Sequence, residues 1–207
     1  MNFAASCSTI IKTLVLMAST VNAQCSDVHV VFARGSGEIP GLGICGTPFV
    51  RSLTSTLYGM SVSSYAVNYL ALASQTSAGP GASDMSKHVM QMAQQCPNTM
   101  FVLGGYSQGA SVVDIAIGID TTLGKGTVIP EHLAPRIKAI VTFGNPLRLT
   151  GLTIARASAL YGSKAIEFCN FGDPVCGNGA NALAHTLYPS DGSVMKAASQ
   201  AAALVKN

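Results

Sequence analysis

The stretch "MFVLGGYSQGASVVDIAIG", residues 100–118, decides the fold. Its first residues form a continuous apolar run, the pattern of a strand buried on both faces. From Gln108 onward the spacing is helical. Between the two stand Gly105, Tyr106, Ser107, Gln108 and Gly109, a G-x-S-x-G sequence. In isolation such a pentapeptide is only a Gly/Ser-rich turn. Between a strand and a helix it has a mechanical meaning. The turn is too tight for Cβ atoms on its flanks, so glycines stand two before and two after the serine. The hydroxyl is then left exposed at the sheet edge. The Gln108 N–H, at a helix N-terminus, points towards developing negative charge.

Outward from this stretch, strand-like and helix-like segments alternate. Strands are expected over 28–33, 62–69, 100–105, 137–144 and 164–169, and helices over 47–59, 81–96 (with Ser83 as cap), 108–119 and 192–207. This alternation predicts an α/β domain, a three-layer α/β/α sandwich around a mostly parallel five-stranded sheet. In such sheets the functional site lies beyond the C-terminal strand ends.

A serine is a weak nucleophile without a base, and the base needs an orienting acid. In this fold class they follow in the order Ser, Asp/Glu, His. Two histidines lie downstream. His132, in "IPEHLAP", belongs to a surface loop before a strand; His185, in "NALAHTLYP", follows the last strand and is at the correct edge. Asp173, in "CNFGDPVC", lies just past a strand end and is the candidate acid. Asp191 reads as a turn residue, Asp114 and Asp120 point away, and Glu167 is inside a strand. A second oxyanion donor belongs on the loop "ARGSGEIPGLG" (33–43), where Ser36 offers its N–H and hydroxyl, and Arg34 and Glu38 are expected to pair. "GSGEIPGLG" lacks both the P-loop Lys-Ser/Thr ending and a full G-x-G-x-x-G, so it is no nucleotide loop.

The remaining features set the context. "MNFAASCSTIIKTLVLMASTVNA" reads as a secretory leader, with cleavage after Ala23 and the domain over 24–207. Later in the chain no segment has eighteen uninterrupted apolar residues, so no transmembrane span is expected. The 207 residues are 48% hydrophobic and 10% charged, with net charge +3 and no Lys/Arg cluster, which gives no case for nucleic acid. Removing Cys7 with the leader leaves five cysteines, two bridges and one spare. Cys169 and Cys176 suit a short clip around "NFGDPV". Of Cys25, Cys45 and Cys96, a bridge from Cys25 to Cys96 would tie down the start of the fold, but sequence alone does not fix that pairing. No cysteine or histidine spacing suits zinc, and no cofactor is expected.

Taken together, "VVFARGSGE", "GGYSQGA", "FGNP", "CNFGDPVC" and "AHTLYPSDGS" resemble the cutinases, secreted serine esterases of the α/β-hydrolase type, over nearly all of residues 24–207. The resemblance implies Ser107 as nucleophile, Asp173 as acid, His185 as base, and Ser36 and Gln108 as the oxyanion hole. It implies bridges Cys25–Cys96 and Cys169–Cys176. It also implies an extracellular, monomeric enzyme without a lid, acting on cutin and on short-to-medium-chain esters. Cys45 has no place in that bridge pattern, and Thr186 stands where some members carry an apolar residue. An acetylxylan or short-chain lipid esterase on the same scaffold is the nearest alternative, and a secreted non-catalytic interaction protein the alternative of another class.

Overall fold

The computed structural model describes Met1 and residues 25–207; the leader read at residues 1–23 lies, apart from Met1, outside the described residues. Five strands form one sheet: β1 (Val28–Ala33), β2 (Val62–Ala66), β3 (Met100–Tyr106), β4 (Ile137–Phe143) and β5 (Ala165–Phe168). Their order is β2-β1-β3-β4-β5, and every neighbouring pair is parallel. Among the described residues six α-helices accompany them: α1 (Gly43–Thr56), α2 (Ala78–Gln95), α3 (Gln108–Ala116), α4 (Ile154–Ala157), α5 (Ala182–Thr186) and α6 (Ser193–Lys206).

Successive strand side chains point to opposite faces, and this builds two cores. In β1, Val28, Val30 and Phe32 join α1 and α6 residues such as Phe49, Leu53, Ala198 and Ala202 in one cluster. Val31 and Ala33 join α2 and α3 residues such as Met85, Val89, Val112 and Ala116 in the other. The sandwich is therefore three-layered, as its sequence pattern requires. α1 leaves β1 for one face and α3 leaves β3 for the other. The connections of these adjacent strands diverge, and a crevice opens at their C-terminal ends. Ala33 of β1 is level with Gly105 of β3, and Phe143 of β4 is level with both Tyr106 and Phe168 of β5. The loops carrying Ser36, Ser107 and Gly144 thus leave the sheet at one edge.

Some local expectations fail for identifiable reasons. α2 begins at Ala78, before the position expected, and Ser83 does not cap it. The Ser83 hydroxyl donates to Gly79 O (3.1 Å) and accepts from Thr127 N (2.9 Å), fastening a distant loop. α1 begins at Gly43 because Glu38 Oε1 accepts the Ile44 N–H (2.7 Å), a cap supplied from outside the helix. Arg34 and Glu38 do not pair through their side chains. The guanidinium donates to the carbonyls of Glu38, Val67 and Tyr69, while the Glu38 carboxylate accepts from Gly35 N and Ile44 N. Both side chains still pin the loop, but each does so through backbone.

The opposite, N-terminal edge of the sheet holds a histidine pair, His29 buried and His88 half-buried. His29 Nε2 and His88 Nε2 are 2.8 Å apart, and His29 Nδ1 is 2.7 Å from Ser63 Oγ. Tyr65 stacks on the His88 ring at 3.6 Å and donates to Asp84. One proton satisfies both Nε2 atoms; a second would set two donors against each other in a part-buried site. Burial first, and the His88 charge second, push His29 down to about 4. Between that value and the ordinary 6.5 the unfolded chain binds more protons than the folded one, so stability falls as pH drops through this window. Acidification from pH 7 to 4 is expected to remove up to about 3 kcal/mol through His29. Urea unfolding across this range checks it: His29→Leu should flatten the pH dependence, and an unchanged slope in the variant would refute this origin.

Candidate active site

Ser107 occupies the turn between β3 and α3 with φ 56° and ψ −121°, a region that L-residues rarely adopt. The neighbours impose it. Ser107 N donates to Phe143 O (2.9 Å), and Ala110 N donates to Ser107 O (2.9 Å). A Cβ on Gly105 would lie 2.1 Å from Gly109 O, and a Cβ on Gly109 would lie 2.0 Å from Ala33 O. Both clashes are with backbone and admit no side-chain relief. Gly109→Ala is expected to cost about 3 kcal/mol or more. A urea midpoint corresponding to a loss below about 0.5 kcal/mol would contradict this packing.

His185 lies in the last turn of α5, and its Nδ1 is 2.8 Å from Asp173 Oδ2. Asp173 is completely buried on the loop after β5, inside the Cys169–Cys176 disulfide. Its Oδ1 accepts from Val175 N (2.7 Å), and its Oδ2 accepts a second hydrogen bond, from the Tyr188 hydroxyl (2.5 Å). Burial pushes this carboxyl up; hydrogen bonds from Tyr188, His185 and Val175 outweigh it and hold the acid below its ordinary value. Asp173 is therefore a carboxylate at neutral pH, able to accept Nδ1–H and leave Nε2 as the basic nitrogen.

Tyr106 joins the pair to the serine. Its ring stacks on His185 (centroids 4.9 Å, 29° between planes), and its hydroxyl donates to His185 O (2.9 Å). Tyr106 directly precedes Ser107, so the turn that carries the serine also carries the platform for the imidazole. Gly144, just past β4, lies behind the ring: a Cβ there would be 2.6 Å from His185 Cε1 and 3.3 Å from Asp173 Oδ2. The next residue, Asn145, donates to Asp114 Oδ1 (3.1 Å), a buried carboxyl pushed up to about 8 mainly by burial. Asp114 is thus directed at the back of this loop.

The remaining candidates lie on adjoining loops. The Gln108 side chain is buried, its Nε2 donating to Leu72 O (3.1 Å) and its Oε1 accepting from Ser77 Oγ (3.4 Å). The Gln108 N–H, in the first turn of α3, has no intrahelical acceptor. The Ser36 hydroxyl is buried and has no hydrogen-bond partner within the described protein. A buried hydroxyl without a partner is costly unless a ligand or water completes it. Among the residues set aside, His132 is exposed in a 3₁₀ turn before β4, Asp191 accepts from Ser193 N and Asn170 Nδ2 at the start of α6, and Glu167 accepts from the first N–H groups of α4. Cys25 is bridged to Cys96, and Cys45 is a buried free thiol in the α1 core.

Tyr106, Gly144, Tyr188 and Asn170 were not singled out by the sequence reading. Only proximity in the chain pointed towards three of them: Tyr106 precedes the serine, Asn170 is three residues before Asp173, and Tyr188 is three residues after His185.

A parallel sheet whose middle strand ends in a strained serine, with a Ser–Asp–His order along the chain, has the architecture of the α/β-hydrolase class. A solved acetylxylan esterase superposes with a TM-score of 0.74 at 30% identity, over 88% of this chain and 98% of that one. A family model described as Cutinase matches residues 24–205, and the chain belongs to the cutinase family. A protein named Cutinase from Kineococcus radiotolerans is 56% identical over 186 residues, which are 89% of this chain and 63% of that one, so the chain spans less than two thirds of that relative's length. Phospholipase Culp4 from Mycobacterium tuberculosis is 43% identical over 173 residues, 83% of this chain and 76% of that protein.

Proposed function

We propose that this protein is a secreted serine esterase that hydrolyses carboxylic esters through an acyl-enzyme. Ser107 attacks the ester carbonyl while His185 Nε2 takes its proton. Asp173 holds the imidazole in the required tautomer and stabilises the imidazolium. The N–H groups of Gln108 and Ser36, with the Ser36 hydroxyl, bind the oxyanion. His185 then protonates the leaving alcohol, and a water repeats the cycle in reverse to release the acid. The observation that carries this reading is the positive-φ serine at the β3–α3 turn beside a His185–Asp173 pair at 2.8 Å. The chemistry requires only these groups and water.

Two observations support an apolar ester, cutin among them. The loops around the serine expose Ile39, Leu70, Leu72, Leu183 and Leu187, with Leu70 at 75% and Leu183 at 62%. A cleft of about 580 Å³ beside the Gln108 anchorage joins Pro40, Leu70, Leu72 and Pro80 to the polar Arg34, Glu38 and Asn68. The exposed aliphatic side chains, at the rim and in the cleft, are what suit acyl chains. The two disulfides fit an oxidising, extracellular setting. A panel of p-nitrophenyl esters from acetate to palmitate, with insoluble cutin and acetylated xylan, tests the reading. Preference for short-to-medium chains and release of cutin monomers is expected. Activity confined to acetate and acetylxylan would move the substrate to carbohydrate esters, and inactivity on all would overturn esterase function.

A further inference from the structure

We propose that Tyr188 is a positioning residue for ester hydrolysis: its hydroxyl fastens the loop of the acid to the loop of the base and shares Asp173 Oδ2 with His185. This rests on the triad reading above.

Tyr188 is completely buried, and its hydroxyl has three neighbours. It donates to Asp173 Oδ2 (2.5 Å) and accepts from Asn170 N (3.1 Å), and the sulfur of bridged Cys176 lies 3.5 Å away. The ring is held edge-on to His185 and Tyr106, at centroid distances of 6.2 and 6.1 Å, and rests against Phe143 at 5.8 Å. Asn170 adds a second tie, its Nδ2 donating to Ala184 O (3.0 Å), directly before His185. Asp173 belongs to the loop closed by Cys169 and Cys176, whereas His185 and Tyr188 share one turn after it. The phenol is therefore the side-chain group that touches the carboxylate from the base's own segment, besides the base itself.

Two consequences follow. The carboxylate has one oxygen held by Val175 N and the other by two donors, so its plane is fixed and it cannot rotate away from the imidazole. The second donor on Oδ2 also withdraws charge from the acceptor of His185, which moderates how strongly the carboxylate favours the imidazolium. Burial first, and donation to Asp173 second, push the phenol up, so it remains a neutral donor throughout the working range. The other ionisable group packed on the imidazole is Tyr106, pushed up chiefly by burial and likewise neutral.

Tyr188→Phe keeps the ring and removes the donor. With a soluble p-nitrophenyl ester, kcat should fall about tenfold with KM nearly unchanged. The acidic limb of the kcat/KM profile should move to higher pH, because Asp173 then gives its charge to His185 alone. A merely structural tyrosine would lower the unfolding midpoint without moving that limb. Tyr188→Leu should lose more activity than Tyr188→Phe, since it also removes the ring wedge. The low-field proton NMR signal of the His185 Nδ1–H, titrated in wild type and Tyr188→Phe, reads the same clamp without turnover. A shifted signal and titration support the clamp of Tyr188 on Asp173 and His185 even if the wild type were inactive on every ester, an outcome that would sink the esterase reading and the role in hydrolysis that rests on it. Coincident kcat, pH limb and Nδ1–H titration in folded Tyr188→Phe would overturn the proposal.

Discussion

Alanine at position 107 is expected to reduce ester hydrolysis by on the order of 10⁴- to 10⁶-fold, with KM for residual turnover little changed. The size follows from the lack of a substitute. The serine is the only nucleophile that the β3–α3 turn presents at the sheet edge, and His185 is stacked on the residue before it. Removing the hydroxyl leaves the oxyanion donors and the apolar walls, which bind an ester but form no acyl-enzyme. The fold should persist. Ser107 is 7% exposed, its ladder is made by backbone atoms, and alanine keeps the Cβ that already tolerates this φ. An unfolding midpoint close to wild type with no measurable burst of product is the expected pair of results. Near-wild-type turnover would remove Ser107 from the mechanism.

The second large effect is expected for Asp173→Asn, a loss of about 10⁴-fold in kcat. The new amide keeps the carboxamide plane and an oxygen for Val175 N. Its nitrogen then faces two donors, His185 Nδ1–H and the Tyr188 hydroxyl, where the carboxylate accepted both. The imidazole answers by taking the other tautomer, with the proton on Nε2, and can no longer receive the serine proton. Stability changes as well. A carboxyl held below its ordinary value contributes stability that is present above the unfolded value near 3.9 and lost as pH falls through the folded one. The variant should therefore be less stable than wild type at pH 7, and the gap should narrow as pH falls below the unfolded carboxyl value. Steady-state kinetics on a soluble ester and urea unfolding over a falling pH series from 7 check these outcomes; a kcat within tenfold of wild type would exclude Asp173 as the orienting acid.

What the sequence revealed of this arrangement was the part written in local chemistry. The apolar runs of β1, β3 and β4 and the helical spacings between strands specify the sandwich, because buried parallel strands and amphipathic helices carry their surroundings in their own residues. G-x-S-x-G carries its turn in its glycines, and the clashes at Gly105 and Gly109 give the physical reason. The Cys169–Cys176 clip was legible from a spacing of seven. What was not legible involved partners distant in the chain and bonds to backbone. Glu38 caps α1 through Ile44 N, and nothing in its neighbours announces that. Arg34 reaches Tyr69 O, 35 positions away, so the expected ion pair with Glu38 was the nearer but wrong partner. Ser83 carries a capping residue's chemistry and uses it on Thr127. Tyr188 reads as one apolar ring among several until its hydroxyl is found on Asp173. The His29–His88 pair joins β1 to α2 across 59 positions and has no local signature.

The most direct test of the central claim is covalent labelling. The folded protein is treated with a p-nitrophenyl alkylphosphonate, which phosphonylates an activated serine and releases p-nitrophenol. One phosphonyl group per chain is expected, found by mass spectrometry on the peptide containing Ser107 and absent in both Ser107→Ala and unfolded protein. No label, or a label on another residue, would contradict it.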